Sequence, residues 1–311
     1  MQDYENCTLC PRNCAVNRLQ GKKGFCGETA ELRIASIEAH FGEEPPISGT
    51  HGSGTVFFSG CAMRCVFCQN YQISCFHVGK PFTSSRAAEK LQQLHAAQGI
   101  HNVNFVTPDH FLPHTIEIVT LLRQKQVTIP ILYNTSGYMK VEAVRRLQEY
   151  ADIYMPDYKY ADAELAEALS RCRDYPAVAL SAIGEMVRQK GFLDSVAGRR
   201  EIAQRGVLVR HLVLPGQEQN SMDALSILYG EFGPQLPISL MSQYRPLRMV
   251  KLAEMNRPLR SEEFYRVYEH ALALGFRNLF VQHMTADHDD GDDFIPDFKR
   301  ERPFKGNVRK R

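Results

Sequence analysis

From residue 54 onward the chain alternates short apolar runs with amphipathic stretches, and few architectures accept that order. The strand-like runs are 55–59, 103–107, 129–134, 152–156, 207–214 and 238–242. Helix-period segments fall between them at 84–98, 110–126, 140–150, 161–190 (long enough for two helices) and 219–231. Strands that alternate with helices predict βαβ units and a parallel sheet. Six such units predict an α/β fold, a partial (β/α)6 barrel of the TIM type rather than a complete eightfold one. A further helix at 261–274 and a further strand at 278–282 follow. The 311 residues suit one large domain with a small appendage, and 44% hydrophobic content is enough to fill its core. We therefore expect a cysteine-rich extension over residues 1–50, and over 51–311 a barrel with a C-terminal extension. Within the first part, 31–37 alternates like a half-exposed strand and 39–47 reads as a loop broken by Pro45 and Pro46. Gly49, Gly52 and Gly54 precede a strand rather than a helix, so a dinucleotide-binding loop is not indicated.

Barrel enzymes carry their chemistry at the carboxyl ends of the strands. The first strand runs into Cys61-Ala62-Met63-Arg64-Cys65-Val66-Phe67-Cys68, a C-x3-C-x2-C loop. A 4Fe–4S cube closed by protein alone takes four thiolates, so three leave one iron open for chemistry. Three of the four ligands of a zinc site are the alternative. Polar residues stand at the later strand ends: Asp109 after the second, Asn134 and Ser136 at the third, Asp157 at the fourth, His211 on the fifth and 242–245 at the sixth. Together they suit a ligand cavity facing one centre. Taken singly, Asp109 and Ser136 also suit helix caps, and His211 suits a core position.

A second set of thiols precedes the barrel. Cys7, Cys10, Cys14 and Cys26 lie within twenty residues, with Gly21, Gly24 and Gly27 allowing tight turns. They suit a metal-organised knob holding zinc or a second iron–sulfur cluster. Arg12, Arg18, Lys22 and Lys23 are placed to offset thiolate charge. Cys75 and Cys172 read as small hydrophobes.

The three-cysteine loop resembles that of the radical S-adenosylmethionine (SAM) superfamily, and the chain as a whole resembles its activating-enzyme branch, typified by pyruvate formate-lyase activating enzyme. Its uncharacterised PflX-type members look nearest. They share the N-terminal cysteines, the His-Phe-Gly-Glu-Glu-Pro-Pro stretch (here His40 to Pro46) and Leu-Met-Ser-Gln-Tyr (here Leu240 to Tyr244). The resemblance implies a 4Fe–4S cluster on Cys61, Cys65 and Cys68, with SAM chelated to the free iron. It implies reductive cleavage of SAM to a 5′-deoxyadenosyl radical that abstracts hydrogen. Asp109 stands where the family has a glycine-rich motif, in place of the acid that holds the SAM amino group. Asn134-Thr135-Ser136-Gly137 falls on the activating enzymes' Asp-Thr-Asn-Gly, which puts Ser136 against SAM. Asn134 replaces an aspartate that helps hold a monovalent cation, while Met155 and Asp157 match the rest of that site. His211 matches a SAM-contacting histidine. The implied partners are an electron donor such as flavodoxin or ferredoxin, and a glycyl radical enzyme or other protein substrate.

The competing functions are narrower. A non-catalytic iron–sulfur electron carrier or redox sensor would not need six polar strand ends. A zinc-bearing nucleic-acid-binding protein is disfavoured by a net charge of only +2. The basic run from Lys299 to Arg311 reads as a solvated tail and the acidic stretch 287–293 as a loop. The polar start carries no apolar targeting segment and no apolar run reaches membrane-spanning length, so a cytoplasmic location is expected. Thiol clusters there hold metal more often than they pair as disulfides.

Overall fold

The structure is a computed structural model that describes residues 2–195, 201–282, 284 and 295–304. Its strands are β1 (Arg33–His40), β2 (Ser53–Phe58), β3 (Lys80–Pro81), β4 (Val103–Val106), β5 (Ile131–Thr135), β6 (Ile153–Pro156), β7 (Gly206–Val207), β8 (Val209–Leu212), β9 (Ile238–Met241) and β10 (Leu279–Val281). The helices are α1 (Pro45–Ser48), α2 (Tyr71–Ser74), α3 (Ser84–Gln98), α4 (Leu112–Gln124), α5 (Val141–Arg146), α6 (Ala163–Ser170), α7 (Tyr175–Lys190), α8 (Glu218–Phe232) and α9 (Ser261–Leu274). The expected pair of helices over 161–190 is present as α6 and α7, separated where Arg171 turns left-handed at φ 53°. Local chemistry sets these limits. Thr83 caps α3 by accepting from the Arg86 N–H, and Gly99 ends it in the left-handed conformation.

One sheet runs β3-β1-β2-β4-β5-β6-β7 and a second runs β10-β9-β8. A parallel bridge between Asp157 and Arg210 joins them. Every pair from β2 onward is parallel, so the result is the expected partial barrel, with β10 as a seventh parallel strand. Parallel strands are buried on both faces and so read as continuous apolar runs. All six residues of β2 are buried. The single run expected over 207–214 is two strands, because the chain changes partner there. Leu208 donates its N–H to Tyr154, whereas Val209 donates to Pro237.

β1 pairs antiparallel with β2 over Ile34 to His40 and belongs to the barrel sheet. It does so although it lies within the 1–50 stretch expected as the extension. The inner face has two rows fixed by strand register. One holds Glu38, Thr55, Asn104 and Leu132; the next holds Ser36, Phe57, Val106, Asn134 and Met155. On the outer face Phe58, Phe105, Tyr133 and Tyr154 follow one another in tilted and edge-on contacts and belong to the core shared with the helices. The Glu-Glu-Pro-Pro segment turns into the amino end of the barrel. There Arg210 donates to both Glu43 and Glu44, and Asn104 Nδ2 donates to Glu43 at 2.8 Å. Among the described residues no helix is long and apolar enough to cross a membrane. The acidic stretch 287–293 and residues 305–311 of the basic run lie outside the described residues.

Candidate active site

β2 ends in Ser59-Gly60, and the three-cysteine loop follows at the carboxyl end of the barrel. Gly60 has φ +81°, and a Cβ there would lie 2.7 Å from the Cys26 carbonyl oxygen. Only glycine lets the loop pass so close to the N-terminal extension. Cys61 and Cys65 are each 7% exposed, Cys68 is half-buried, and all nine cysteines are free. Burial, reinforced by the other two thiols, holds Cys61 well above its usual range. Burial likewise raises Cys65, and it pushes Cys68 up to about 11. Three crowded thiols in a dry pocket ionise only if something strongly cationic joins them, and a metal centre does this.

The polar strand ends converge beside that loop. Asp109 is 4% exposed and accepts from Thr135 Oγ1 at 2.8 Å and from Ser136 Oγ at 3.5 Å. It is therefore tied across to the β5 end and is not a helix cap. Burial pushes its carboxyl up to about 7, and the nearby Asp157 charge adds to this. The Asp157 carboxylate is met by the Lys159 ammonium. Burial by itself would lower Lys159, but Asp157 and Cys65 outweigh it and keep the lysine protonated. A lysine thus supplies the positive charge beside Asp157. Tyr175, fully buried on α7, braces these ends. Its hydroxyl is shared between the Ser136 and Asp157 carbonyl oxygens at 2.9 and 2.8 Å and accepts from the Lys159 N–H at 3.0 Å. Asn134 lies half-buried on the inner row between Val106 and Met155.

His211 is fully buried on β8. Strand alternation puts it on the face of Val209, in the outer core, while Arg210 takes the inner face. Its Nδ1 contacts the Tyr158 carbonyl at 2.7 Å, burial pushes it down to about 4, Lys159 and Asp157 lie within electrostatic range, and its Nε2 is buried with no hydrogen-bond partner among the described residues. Lys159 and Tyr175 were not legible as site residues. A tyrosine at the start of a helix far along the chain carries no local signal for the role it has here.

The N-terminal thiols also come together. Cys10 is pushed up to about 12, chiefly by burial, and Cys26, Cys14 and Cys7 all raise it further, so the four share one neighbourhood. Phe25 donates its N–H to Cys14 Sγ at 3.2 Å. Arg18 is 1% exposed and donates to the Thr29 and His110 carbonyls, with Nη1 3.7 Å from Cys7 Sγ. Lys22 and Lys23 are exposed instead. Among the described residues no three His, Cys, Asp or Glu side chains close on a single-ion position. The extension is fastened to the barrel: Arg12 donates to the carbonyls of Ala62, Ser170 and Arg171, and the Cys61 N–H donates to Cys26 at 3.4 Å. Cys75 and Cys172 stand outside both sets, Cys172 at 2% exposure in the core.

The radical SAM superfamily model matches residues 55–225, from the strand before the cysteine loop into α8. The chain belongs to the radical SAM superfamily. An uncharacterized protein of Methanocaldococcus jannaschii is 29% identical over 274 residues, covering 86% of this chain and 74% of that one. The crystal structure of HydG, a maturase of the [FeFe]-hydrogenase, is similar with a TM-score of 0.50 and 14% identity over 76% of this chain. Native anSMEcpe with bound AdoMet gives 0.49 and 11%, again over 76% of this chain. This chain spans 52% of HydG and 62% of anSMEcpe, and at such identities the likeness is one of fold. In this radical SAM chain the thiols, the buried acid and the lysine all lie at the end of the barrel where the fold's chemistry belongs.

Asp109 makes a testable contribution to stability. Its folded value of about 7 lies above the ordinary 3.8, so the folded state keeps a proton that the unfolded state releases. The protein without cofactor should lose stability as pH rises from 3.8 to about 7 and level off above that. Asp109→Asn should flatten this segment of a stability–pH curve measured by denaturant unfolding, and an unchanged slope would refute it.

Proposed function

We propose that this protein is a radical SAM enzyme that holds a 4Fe–4S cluster on Cys61, Cys65 and Cys68 and abstracts hydrogen from a polypeptide substrate. The observation that carries this is the three-thiol loop set beside a buried acid and a lysine at the barrel mouth. Three soft thiolates suit an iron–sulfur cube and leave one iron open. When bound and reduced, the cluster supplies the electron that cleaves SAM into methionine and a 5′-deoxyadenosyl radical. The chain's own residues bind and orient. Asp109 accepts hydrogen bonds from Thr135 and Ser136 and is placed to take the SAM ammonium. An ammonium there restores the ionised carboxylate that burial disfavours. Lys159 offsets the charge of Asp157 and of the cluster thiolates. Phe67, 8% exposed, helps keep water from the loop. The activating-enzyme and PflX-type likeness supports a glycyl radical enzyme as the substrate polypeptide, with flavodoxin or ferredoxin as reductant.

The four N-terminal thiols hold a second metal centre, zinc or iron–sulfur, in this proposal. Arg18 supports it. A fully buried guanidinium needs an anion, and among the described residues no carboxylate lies within ion-pair distance of it, whereas Cys7 does. Metal-bound thiolates supply that anion.

Anaerobically reconstituted protein given dithionite and SAM should release 5′-deoxyadenosine. Failure with a loaded cluster and bound SAM would sink the assignment. Cys10→Ala should remove the N-terminal metal and keep about four irons per chain in the barrel site. Metal analysis after anaerobic gel filtration reads both, and loss of all metal would show the two centres to be one.

A further inference from the structure

A piece of the same chain, residues 295–304, packs on the inner row beside β1. Residues 295–304 form a tight loop, closed by the Asp297 N–H donating to Pro303 at 2.9 Å. Phe298 is 4% exposed and packs on Phe57 at 5.2 Å between ring centres, in one cluster with Val106 and Ile73. Phe304 meets Phe57 at 5.4 Å and His40 at 4.4 Å. Phe57 and Val106 share the inner row with Asn134 and Met155, so the loop lies on the wall that leads to the cysteine end of the barrel. The basic residues expected as a free tail are exposed, but the segment that carries them is docked.

Two features set this strap apart from a permanent wall. Among the described residues only Gln72 hydrogen-bonds it to the barrel, accepting from the Phe298 N–H at 2.7 Å and facing Asp297 at 3.5 Å. Glu38 Oε1 on β1 is buried with no hydrogen-bond partner among the described residues, as are His40 Nδ1 and Asn104 Oδ1 nearer the amino end of the barrel, where both residues face Glu43. Finished interiors satisfy such atoms, and binding grooves leave them for a ligand. The charges match as well: Arg302 on the strap lies within electrostatic range of Glu38.

We propose that this wall forms a peptide-binding groove and that residues 295–304 are its resting occupant, displaced by a substrate polypeptide of the same chemistry, two aromatic side chains flanking basic residues. The inference rests on the radical SAM reading for what happens to that substrate, but binding itself needs neither cluster nor SAM.

The test uses the full chain carrying Phe298→Ala and Phe304→Ala, and a fluorescent synthetic peptide with the sequence of residues 295–304. Anisotropy should show that the variant binds the peptide. The wild type, with its own strap in place, should bind about tenfold or more weakly. Adding Glu38→Gln should weaken the variant's binding, as should a peptide with its basic residues changed to glutamate. A variant that melts like the wild type yet binds no better would overturn the proposal. If the variant does not fold, hydrogen exchange on the wild type decides. Faster exchange at the Phe298 amide than in β2 and β4 supports a displaceable strap, and equal protection overturns it. The radical SAM assay is separate. Peptide binding without 5′-deoxyadenosine release keeps the groove and sinks the chemistry; release without binding does the reverse.

Discussion

Cys65→Ala should abolish 5′-deoxyadenosine release and lower bound iron by about four per chain, leaving the N-terminal metal in place. Cys68 and Cys61 are already committed, Cys75 lies within electrostatic range of Cys68, and Cys172, raised by the Cys65 charge, sits in the core at 2% exposure. Cys172→Ala is therefore the matched control and should keep both iron and activity. The loop should survive the substitution, since its backbone is held by Val66 donating to Leu169 and Cys68 donating to Cys65, neither of which uses the thiol. Iron content and product measured on the same anaerobic sample give the answer. Retained activity in Cys65→Ala would end the cluster assignment.

The second large effect is on stability. Arg210 lies between Glu43 and Glu44, whose side chains are 6% and 8% exposed. Burial alone would raise Glu43, but Arg210 and His40 outweigh it and hold the carboxyl low. Arg210→Ala leaves the two buried carboxylates with only His40, whose own charge burial disfavours, near Glu43, and breaking such a pair costs about 3–5 kcal/mol. Glu43→Gln with Glu44→Gln in the same background should recover much of that loss, because the buried charges go with it. Urea unfolding of the chain without cofactor measures both. A cost within the range of an ordinary surface substitution would mean that water reaches the pair.

This pair also gives a physical reason for a motif that resemblance alone had picked out. His40 to Pro46 reads in sequence as a proline-broken loop, and its glutamates look like surface charge. Their partner lies 166 residues on in the chain, on a strand that appears wholly apolar apart from Arg210 and His211. Barrel order and the cysteine loop were legible because each depends on local pattern: strand and helix periods for the one, fixed spacing for the other. What failed was face. Within 207–214 the sequence does not reveal the change of partner at Leu208, and so it does not tell which of Arg210 and His211 points inward. Asp109 was recognisable as a mouth residue, yet its partners Thr135 and Ser136 become visible only once β4 and β5 are side by side. β1 reads as a strand, but antiparallel pairing with β2 leaves no mark on its own alternation, so the sequence does not tell that it joins the barrel sheet.

The Arg12 fastening has a consequence for the making of the protein. Its carbonyl acceptor at Ser170 lies 158 residues downstream. At translation rates of about 5–20 residues per second, the N-terminal thiols leave the ribosome on the order of ten to thirty seconds before that anchor exists. During this interval they belong to a short nascent segment with no barrel to bury them. Metal delivered then meets open ligands. Metal delivered after release must reach thiols already pressed against the finished loop. Loading order, more than affinity, would then decide what the knob contains.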